Sequence, residues 1–447
     1  MTNVIFSFDT EDYVNENAAE SILRTAKILR NENIKGCYQV VGMLAEALVE
    51  WNRSDIIYEL REYHEVDYHS NRHSHHPTIN EYTDLSDYSL ARRIFLDDEL
   101  AGVHKVKSIF GVKELAAVCP PGVSTSYVAR YAYADMGVGI YTGDQIYDEK
   151  RYRPVFNCNT VSVRHYEYLE RKLFDWNEKD IKAFVEEISE MDTVIISHHP
   201  QRAYLKSFCD LDNFLGENTP RDKWVRTERY SEEETEDFYK KFELLVSLIN
   251  RDGRFNVTTY RQLYENLKEE KREITKKTLL YVGEALKDRF FPVTEPKSFC
   301  ISDIFYACRD LLLGKRKHVC KKVYGFLGAP YSVKTETVVN KEELAMAAAS
   351  IYTDTFLPEF LFAGDKKIGP ADFIWASLAI LSGEREYLIK PGLPKQIDLD
   401  EFPMLRDLCY KNTWIHSKTL EDNFLSDRLR LQSWTIRMPE GTPRFIK

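Results

Sequence analysis

Short apolar runs and amphipathic stretches alternate along the first part of the chain. The run "NVIFSF" is rich in β-branched and aromatic residues, whereas "AAESILRTAKILRNENI" spaces its apolar residues three and four positions apart. The first pattern is typical of a buried strand and the second of an amphipathic helix. The alternation returns in "GCYQVVG" before "MLAEALVEW" and in "DIKAFVEEISEM" before "TVIISHHP". Alternation over about 260 residues predicts an α/β fold with a parallel β/α array, open or closed into a barrel.

Polar motifs directly follow several of the predicted strands. They are "DTED", "HSNRH", "CPPG" and "HHP". In a parallel array, active-site residues lie on the loops at the carboxyl ends of the strands. We therefore expect these four motifs to meet at one edge of the sheet.

The pattern changes near residues 266–277, where "ENLKEEKREITKK" forms a charged run. We predict a catalytic domain over 1–268 and a mainly α-helical accessory domain over 278–447. Within the latter, segments 291–312 and 357–381 share a plan that suggests a two-copy repeat. The shared anchors are Pro292, Asp303 and Ala307 in one segment and Pro358, Asp372 and Ala376 in the other.

Composition narrows the class of protein. The 447 residues, 43% of them hydrophobic, predict two or three folded domains. A net charge of -10 argues against nucleic acid or an anionic membrane surface as a partner. No run predicts a membrane span or a signal peptide, so we expect a cytoplasmic location. The eight cysteines include no CxxC pair, which predicts neither a zinc knuckle nor a disulfide framework.

Five of the eleven histidines lie between residues 63 and 77. His69 and His73 are four residues apart, so on a helical turn both rings face one way and suit a divalent metal. A catalytic zinc takes three protein ligands and keeps one position open for water. The segment "FDTED" offers a carboxylate from Asp9, Glu11 or Asp12. The alternative without a metal site is a solvated acidic loop beside surface histidines, with Asp12 capping the next helix.

Taken together, "FSFDTED", "HEVDYHSNRH", "CPPG" and "VIISHHP" resemble the polysaccharide deacetylase family (NodB homology, similar to carbohydrate esterase family 4). The most specific of these motifs is "HEVDYHSNRH", and the resemblance covers about residues 1–265. It implies a distorted, incomplete (β/α) barrel with one bound divalent ion, Zn²⁺ or Co²⁺. It also implies removal of acetyl groups from N-acetylated sugars by an Asp, His, His metal site.

The resemblance assigns roles to residues of this chain. Asp9 matches the catalytic base, and His69 and His73 match the metal histidines. The third ligand is Asp12, with Glu11 as the alternative.

The general acid is His198 or His199, which the sequence does not separate. The backbone near Pro121 and Gly122 is expected to hold the oxyanion of the substrate. Asp144 is expected beside the site, either contacting the substrate or orienting a histidine.

One position departs from the family pattern. Many members have an arginine that pairs with the catalytic aspartate, where this chain has Cys119. A neutral thiol cannot form the bidentate ion pair that a guanidinium forms. Either another cation serves, or the base is tuned differently, or the activity is altered.

The sequence thus predicts a metal-dependent hydrolase that removes N-acetyl or O-acetyl groups from a saccharide or glycan precursor. The expected partner is an acetylated carbohydrate or amide. One alternative is a hydrolase of a cyclic amide on the same fold. The other is a degenerate member that binds glycan without hydrolysis, which Cys119 favours and the retained Asp9 and histidines oppose.

Overall fold

The computed structural model describes residues 1–122, 126–143, 146–148, 151–267, 271–397, 399–408 and 416–440. Its strands are β1 (Thr2–Thr10), β2 (Cys37–Val40), β3 (Glu65–Tyr68), β4 (Ala117–Val118), β5 (Ile140–Tyr141), β6 (Val155–Asn157), β7 (Thr160–Ser162), β8 (His165–Tyr168), β9 (Thr193–His198), β10 (Phe255–Val257), β11 (Glu273–Thr275), β12 (Lys317–Val319), β13 (Thr337–Asn340), β14 (Leu361–Ala363), β15 (Lys366–Ile368) and β16 (Glu386–Ile389).

Its helices are α1 (Glu20–Asn31), α2 (Gly42–Glu50), α3 (Ser54–Tyr63), α4 (Ile79–Thr83), α5 (Tyr88–Phe110), α6 (Tyr127–Asp135), α7 (Glu178–Ile188), α8 (Cys209–Asn213), α9 (Glu232–Arg251), α10 (Tyr260–Leu267), α11 (Lys276–Asp288), α12 (Ile301–Leu312), α13 (Lys341–Ala349), α14 (Pro370–Ser382), α15 (Pro403–Arg406) and α16 (Leu425–Arg430). No described helix is both long enough and apolar enough to cross a bilayer.

The chain divides into two compact units. Unit 1 comprises Met1–Pro154, Thr160–Asn266 and Leu408–Ser426, and unit 2 comprises Val155–Asn159, Leu267–Asp407 and Asp427–Lys447. The predicted domains at 1–268 and 278–447 stay predictions, because compactness does not test whether either part folds alone.

Unit 1 is built on a parallel sheet with the strand order β7-β5-β4-β3-β2-β1-β9-β8, and β10 pairs with the start of β1. Every pairing along this path is parallel. Within unit 1, β7 and β8 do not pair with each other among the described residues, so the sheet is an open half-barrel. This order confirms the predicted α/β fold with a distorted, incomplete barrel.

Strand β1 lies in the middle of this sheet and is buried at every position except Asn3. Parallel strands covered on both faces read as nearly continuous apolar runs, which explains "NVIFSF". Phe8 stacks on Tyr38 at 4.7 Å and meets Phe242 of α9 edge-on at 6.4 Å. The carboxyl end of β1 therefore delivers the "DTED" segment to a buried edge of the sheet.

Unit 2 combines helices with small antiparallel sheets, β11 with β12, β13 with β16, and β14 with β15. In the first pair α11 starts directly after β11, and β12 follows α12. In the second pair α13 starts directly after β13, and β16 follows α14. Asp303 is the third residue of α12 and accepts the backbone N–H of Cys300 at 3.1 Å. Asp372 is the third residue of α14 and accepts that of Gly369 at 2.8 Å. The two segments with the shared sequence plan thus begin their helices in the same way.

Candidate active site

The candidate site lies at the carboxyl ends of three strands of unit 1. Glu11 follows β1, His69 follows β3 and His199 follows β9. Since β1 pairs with β9 and with β2, and β2 pairs with β3, all in parallel, the three loops emerge at the same edge.

Glu11, His69 and His73 form a buried group that we call the histidine cluster. The Glu11 Oε2 atom is 3.2 Å from Nε2 of His69 and 3.0 Å from Nε2 of His73. All three residues are at most 5% exposed. The other Glu11 oxygen accepts a hydrogen bond from the side-chain amide of Gln201 at 3.1 Å. The carboxylate is therefore fixed with one oxygen facing both imidazoles.

The two histidines lie on a loop of turns, not on a helix, because the backbone after β3 enters the left-handed region. Ser70 has φ 72° and His73 has φ 52°, and the Ser70 hydroxyl accepts the His73 backbone N–H at 3.0 Å. The loop still brings the ring centroids of His69 and His73 to 5.0 Å. A tight turn thus replaces the helical spacing that the sequence suggested.

A carboxylate behind the cluster fixes the ring of His73. The His73 Nδ1 atom is 3.0 Å from Oδ1 of Asp210 and 2.8 Å from the Ser74 hydroxyl. That hydroxyl also donates to Asp210. Such a partner holds the imidazole in the tautomer that offers Nε2 to a ligand. Asp210 lies on the short helix α8, and no sequence motif marks it.

Asp12 has a different environment from Glu11. Its Oδ1 accepts the backbone N–H groups of Val14 at 2.9 Å and Asn15 at 2.8 Å, and its Oδ2 accepts the Asn15 side-chain amide. Both oxygens of Asp12 therefore serve the turn that leads into α1. Of the two carboxylates that the sequence left open, the structure groups Glu11 with His69 and His73.

Asp9 stands between the histidine cluster and His199. Its Oδ2 accepts the Cys119 thiol at 3.6 Å and lies 3.7 Å from Nε2 of His199. Its Oδ1 has no hydrogen-bond partner and lies 3.9 Å from Nδ1 of His69. Burial and the charge of Asp9 raise the pKa of Cys119, which keeps the thiol a neutral donor. Cys119 thus supports Asp9 by one weak hydrogen bond, at the position where the family pattern has an arginine.

The adjacent histidines at the end of β9 point in different directions. His198 packs its ring at 5.0 Å from Phe238 and 6.4 Å from Phe8, and burial lowers its pKa. His199 instead places its Nε2 near Asp9 and, at 3.9 Å, near Glu11. His198 belongs to the apolar core, and His199 faces the histidine cluster.

Glu170 holds both of these histidines. Its Oε1 is 2.6 Å from Nδ1 of His199, and its Oε2 is 3.1 Å from Nδ1 of His198. Burial alone would lower the pKa of His199, but Glu11 and Glu170 raise it to about 9. Burial would likewise raise the pKa of Glu170, yet the two histidines hold it well below its usual range. The Glu170 carboxylate at Nδ1 therefore favours the protonated form of His199.

His165 is a further buried histidine that the motifs did not indicate. Its Nε2 is 2.9 Å from the Thr142 hydroxyl and its Nδ1 is 2.8 Å from the Tyr168 hydroxyl. Burial lowers its pKa to about 4, so the ring is neutral. Glu170 and His165 both come from "RHYEYLE", where a strand-like run with charged residues was the only available signal.

Two of the remaining predicted residues, Pro121 and Gly122, lie on one loop. Pro121 is buried and Gly122 is exposed, with φ 61°, in the loop after β4. Their contact with a substrate stays a prediction. Asp144 lies outside the described residues.

The histidine cluster fits a divalent metal ion by its donors and distances. A tetrahedral ion bound at about 2.1 Å separates its ligand atoms by about 3.4 Å. The 3.0 and 3.2 Å separations around Glu11 Oε2 are close to that value. Two further buried atoms at the cluster, His69 Nδ1 and Asp9 Oδ1, have no hydrogen-bond partner. One carboxylate and two imidazoles form a donor set of catalytic zinc sites.

A groove of about 270 Å³ lies in unit 1 and includes residues next to the site motifs. Tyr13 follows Asp12, and His75 lies two residues beyond His73. The ring of Trp224 is 5.7 Å from that of Tyr13. Charged and amide side chains complete the lining, among them Glu46, Glu50, Asn218 and Arg221.

The chain matches no family model, and no curated protein matches it. Solved structures of similar fold include the family 4 acetyl xylan esterase from Clostridium thermocellum in complex with a cobalt ion. It has 12% identity and a TM-score of 0.32, over 60% of this chain and 92% of that one. A peptidoglycan deacetylase from Bacillus subtilis has 14% identity and a TM-score of 0.30, over 64% and 97%.

A third structure is the 4-alpha-glucanotransferase from Thermococcus litoralis. It has 13% identity and a TM-score of 0.42, over 65% of this chain and 46% of that one. These likenesses show the fold alone.

Proposed function

We propose that the chain is a metal-dependent hydrolase that removes N-acetyl or O-acetyl groups from a saccharide or glycan precursor. Glu11, His69 and His73 hold the divalent ion, with Zn²⁺ the best match to one carboxylate and two imidazoles. The observation that carries the proposal is that Asp9 and His199 lie 3.7 Å apart beside this cluster. A proton acceptor and a proton donor thus flank the ligands.

Acetamides resist hydrolysis because the carbonyl is a weak electrophile and the amine is a poor leaving group. When bound, a divalent ion supplies Lewis acidity toward the carbonyl and toward a water molecule. Asp9 acts as the general base, since its Oδ1 has no hydrogen-bond partner and is free to accept the proton of that water. The backbone near Pro121 and Gly122 is proposed to donate to the developing oxyanion.

His199 acts as the general acid that protonates the departing nitrogen or oxygen. This role needs an imidazolium at the working pH, and the Glu170 carboxylate favours that form by raising the pKa of His199. Glu170 positions the ring through Nδ1 at 2.6 Å, so that Nε2 faces the site. His198 is not proposed for this step, because its ring lies among Phe8 and Phe238.

The groove beside the site supports a saccharide as the substrate. Trp224 contributes an aromatic ring to its lining, and Asn218, Glu46 and Arg221 contribute polar side chains. Pockets of this mixed kind bind the apolar face of a ligand and fix its orientation by a few polar groups. Resemblance to the polysaccharide deacetylase family gives the same substrate class.

The ligand assignment is tested by a matched pair of variants. Glu11→Gln is expected to remove the bound metal and the activity, because it replaces the carboxylate that faces both imidazoles. Asp12→Asn is expected to keep the metal, since an asparagine oxygen can still accept the Val14 and Asn15 amides. Loss of metal in Asp12→Asn with retention in Glu11→Gln would reverse the assignment.

The function itself is tested by metal analysis of the purified chain together with acetate release from N-acetylglucosamine oligomers. We expect bound metal, acetate release that a chelator abolishes, and recovery when Zn²⁺ is returned. Metal without acetate release from these or O-acetylated sugars would contradict the substrate class. Chelator-resistant acetate release would contradict the metal dependence.

A further inference from the structure

Unit 2 contains another group of metal-type ligands, two of them buried and one half-buried, remote in sequence from the histidine cluster. Asp303, His318 and Cys320, which we call the thiol cluster, each offer one ligand atom, and these atoms lie within 4.8 Å of one another. Asp303 is at the start of α12, His318 is on β12, and Cys320 directly follows that strand. The group therefore joins a helix start to a strand.

Asp303 carries an unsatisfied oxygen in the interior. The residue is completely buried, and its Oδ2 accepts from Arg272 at 2.7 Å and from the Cys300 backbone N–H at 3.1 Å. Its Oδ1 has no hydrogen-bond partner. A buried carboxylate oxygen without a donor is costly, which indicates that another positive group belongs there.

His318 is oriented as metal-binding histidines are. Its Nδ1 is 3.0 Å from Oδ2 of Asp310, which leaves Nε2 as the nitrogen offered to a ligand. Asp310 is itself fixed by Lys315 at 2.9 Å and Arg309 at 2.7 Å. A carboxylate behind an imidazole is the usual outer partner of a metal histidine.

Two thiols accompany these groups. Cys320 contributes to the cluster, and the Sγ of Cys300 accepts the backbone N–H of Asp303 at 3.3 Å. The thiol of Cys300 thus serves the start of α12, whereas Cys320 is the thiol grouped with Asp303 and His318.

The related segment of unit 2 shows that the repeated plan alone does not require these ligands. Asp372 takes the place of Asp303 at the start of α14, and its Oδ2 accepts from the backbone N–H groups of Gly369 and Val333. Gly369 stands where the first segment has Cys300. The aspartate is therefore explained by helix capping in both segments, whereas His318 and Cys320 need a separate explanation.

We propose that Asp303, His318 and Cys320 form a structural zinc site that ties the start of α12 to β12. A carboxylate oxygen, an imidazole nitrogen and a thiolate sulfur suit Zn²⁺, and a thiolate is favoured over the harder Mg²⁺ and Ca²⁺ ions. Arg272 balances the added negative charge of the thiolate. The site is independent of the proposed hydrolase activity.

The test uses the full chain loaded with Co²⁺, because a cobalt–thiolate bond gives a charge-transfer absorption in the near ultraviolet. We expect this band in the wild type and its loss in Cys320→Ser, with about one metal ion fewer per chain. Cys308→Ser is the matched control, since Cys308 is a buried thiol on α12, the helix that carries Asp303, but is not part of the thiol cluster. Cys119→Ser tests whether the thiol next to Asp9 produces the absorption band. Both control variants should keep the band.

An unchanged band in Cys320→Ser, or no band in the wild type, would overturn the proposal. If Cys320→Ser does not fold, X-ray absorption at the zinc edge of Cys119→Ser gives the answer with the thiol cluster intact. A sulfur neighbour at about 2.3 Å supports the site, and a shell of nitrogen and oxygen alone overturns it.

Discussion

The histidine cluster of unit 1 and the thiol cluster of unit 2 each contain an imidazole whose Nδ1 lies 3.0 Å from an aspartate. The pairs are His73 with Asp210, and His318 with Asp310. Both clusters also contain a buried carboxylate from a residue next to a strand or helix end, Glu11 in one and Asp303 in the other. Both clusters therefore combine a buried carboxylate with an imidazole that an aspartate orients.

Their surroundings differ. Beside the histidine cluster stand Asp9, with a partnerless oxygen, and His199, whose protonated form the Glu170 carboxylate favours. Beside the thiol cluster stands Arg272, bound to Asp303 at 2.7 Å. An arginine stays protonated and transfers no proton, whereas an aspartate and an imidazolium can. On the proposed assignments, the groups next to each cluster, more than its ligands, distinguish a catalytic role from a structural one.

The strongest test of this contrast removes one histidine from each cluster. We expect His73→Ala to lose metal and to lower acetate release by at least about a thousandfold, because Lewis acidity supplies several kcal/mol. We expect His318→Ala to keep the rate within about twofold and to lower the melting temperature instead. Initial rates, metal content and thermal unfolding are measured on both. Equal losses of rate in the two variants would remove the distinction between the clusters.

A second test changes the neighbour of each cluster and leaves the ligands in place. Asp9→Asn is expected to keep the metal and to lower turnover about 10²–10⁴-fold, because an amide cannot accept the proton. Arg272→Gln is the counterpart in unit 2 and should leave turnover unchanged. Metal content and turnover are measured together. Unchanged turnover in Asp9→Asn would end its assignment as the base.

A third test addresses what the clusters share. Asp210→Asn and Asp310→Asn each replace the carboxylate behind an imidazole by a neutral group of the same shape. Each is expected to weaken metal binding at its own cluster by about 10–100-fold. Chelator competition measures both affinities, and only Asp210→Asn should also lower acetate release. If Asp310→Asn leaves metal affinity unchanged, the proposed role of His318 as a ligand is contradicted.

The sequence was sufficient for the strands and for the edge at which the motifs meet. The runs that became β1 and β9 are continuous and apolar because both faces of these strands are covered. Which carboxylate lies beside the histidines, Glu11 or Asp12, depends on the residue at which β1 ends. Asp9 and Glu11 are two residues apart, and in extended chain such residues share a face. Asp12 falls on the turn, where its oxygens bind backbone amides.

The choice between His198 and His199 depended on strand register, which the sequence does not contain. Phe8 pairs with His198 across β1 and β9, so His198 shares the core side of the sheet with Phe8. Asp9, the next residue of β1, faces the other way, and so does His199, the first residue after β9. Glu170, Asp210 and His165 were missed because each acts through a contact made between loops or strands far apart in sequence.

The smallest expected effect concerns the pH dependence of the proposed acid, a property with no counterpart at the thiol cluster. His199 is active when protonated, so activity should fall as pH rises through its pKa of about 9. Glu170→Gln removes a carboxylate that raises this pKa. The alkaline limb should therefore move to lower pH, toward the ordinary histidine value of about 6.5, with a modest loss of rate at neutral pH. Glu167→Gln is the matched control, since Glu167 lies on β8 three residues before Glu170 and accepts the Tyr168 backbone N–H. If the alkaline limbs of the two pH–rate profiles coincide, His199 is not the acid that limits the reaction. The contrast between the two clusters would then rest on Asp9 alone.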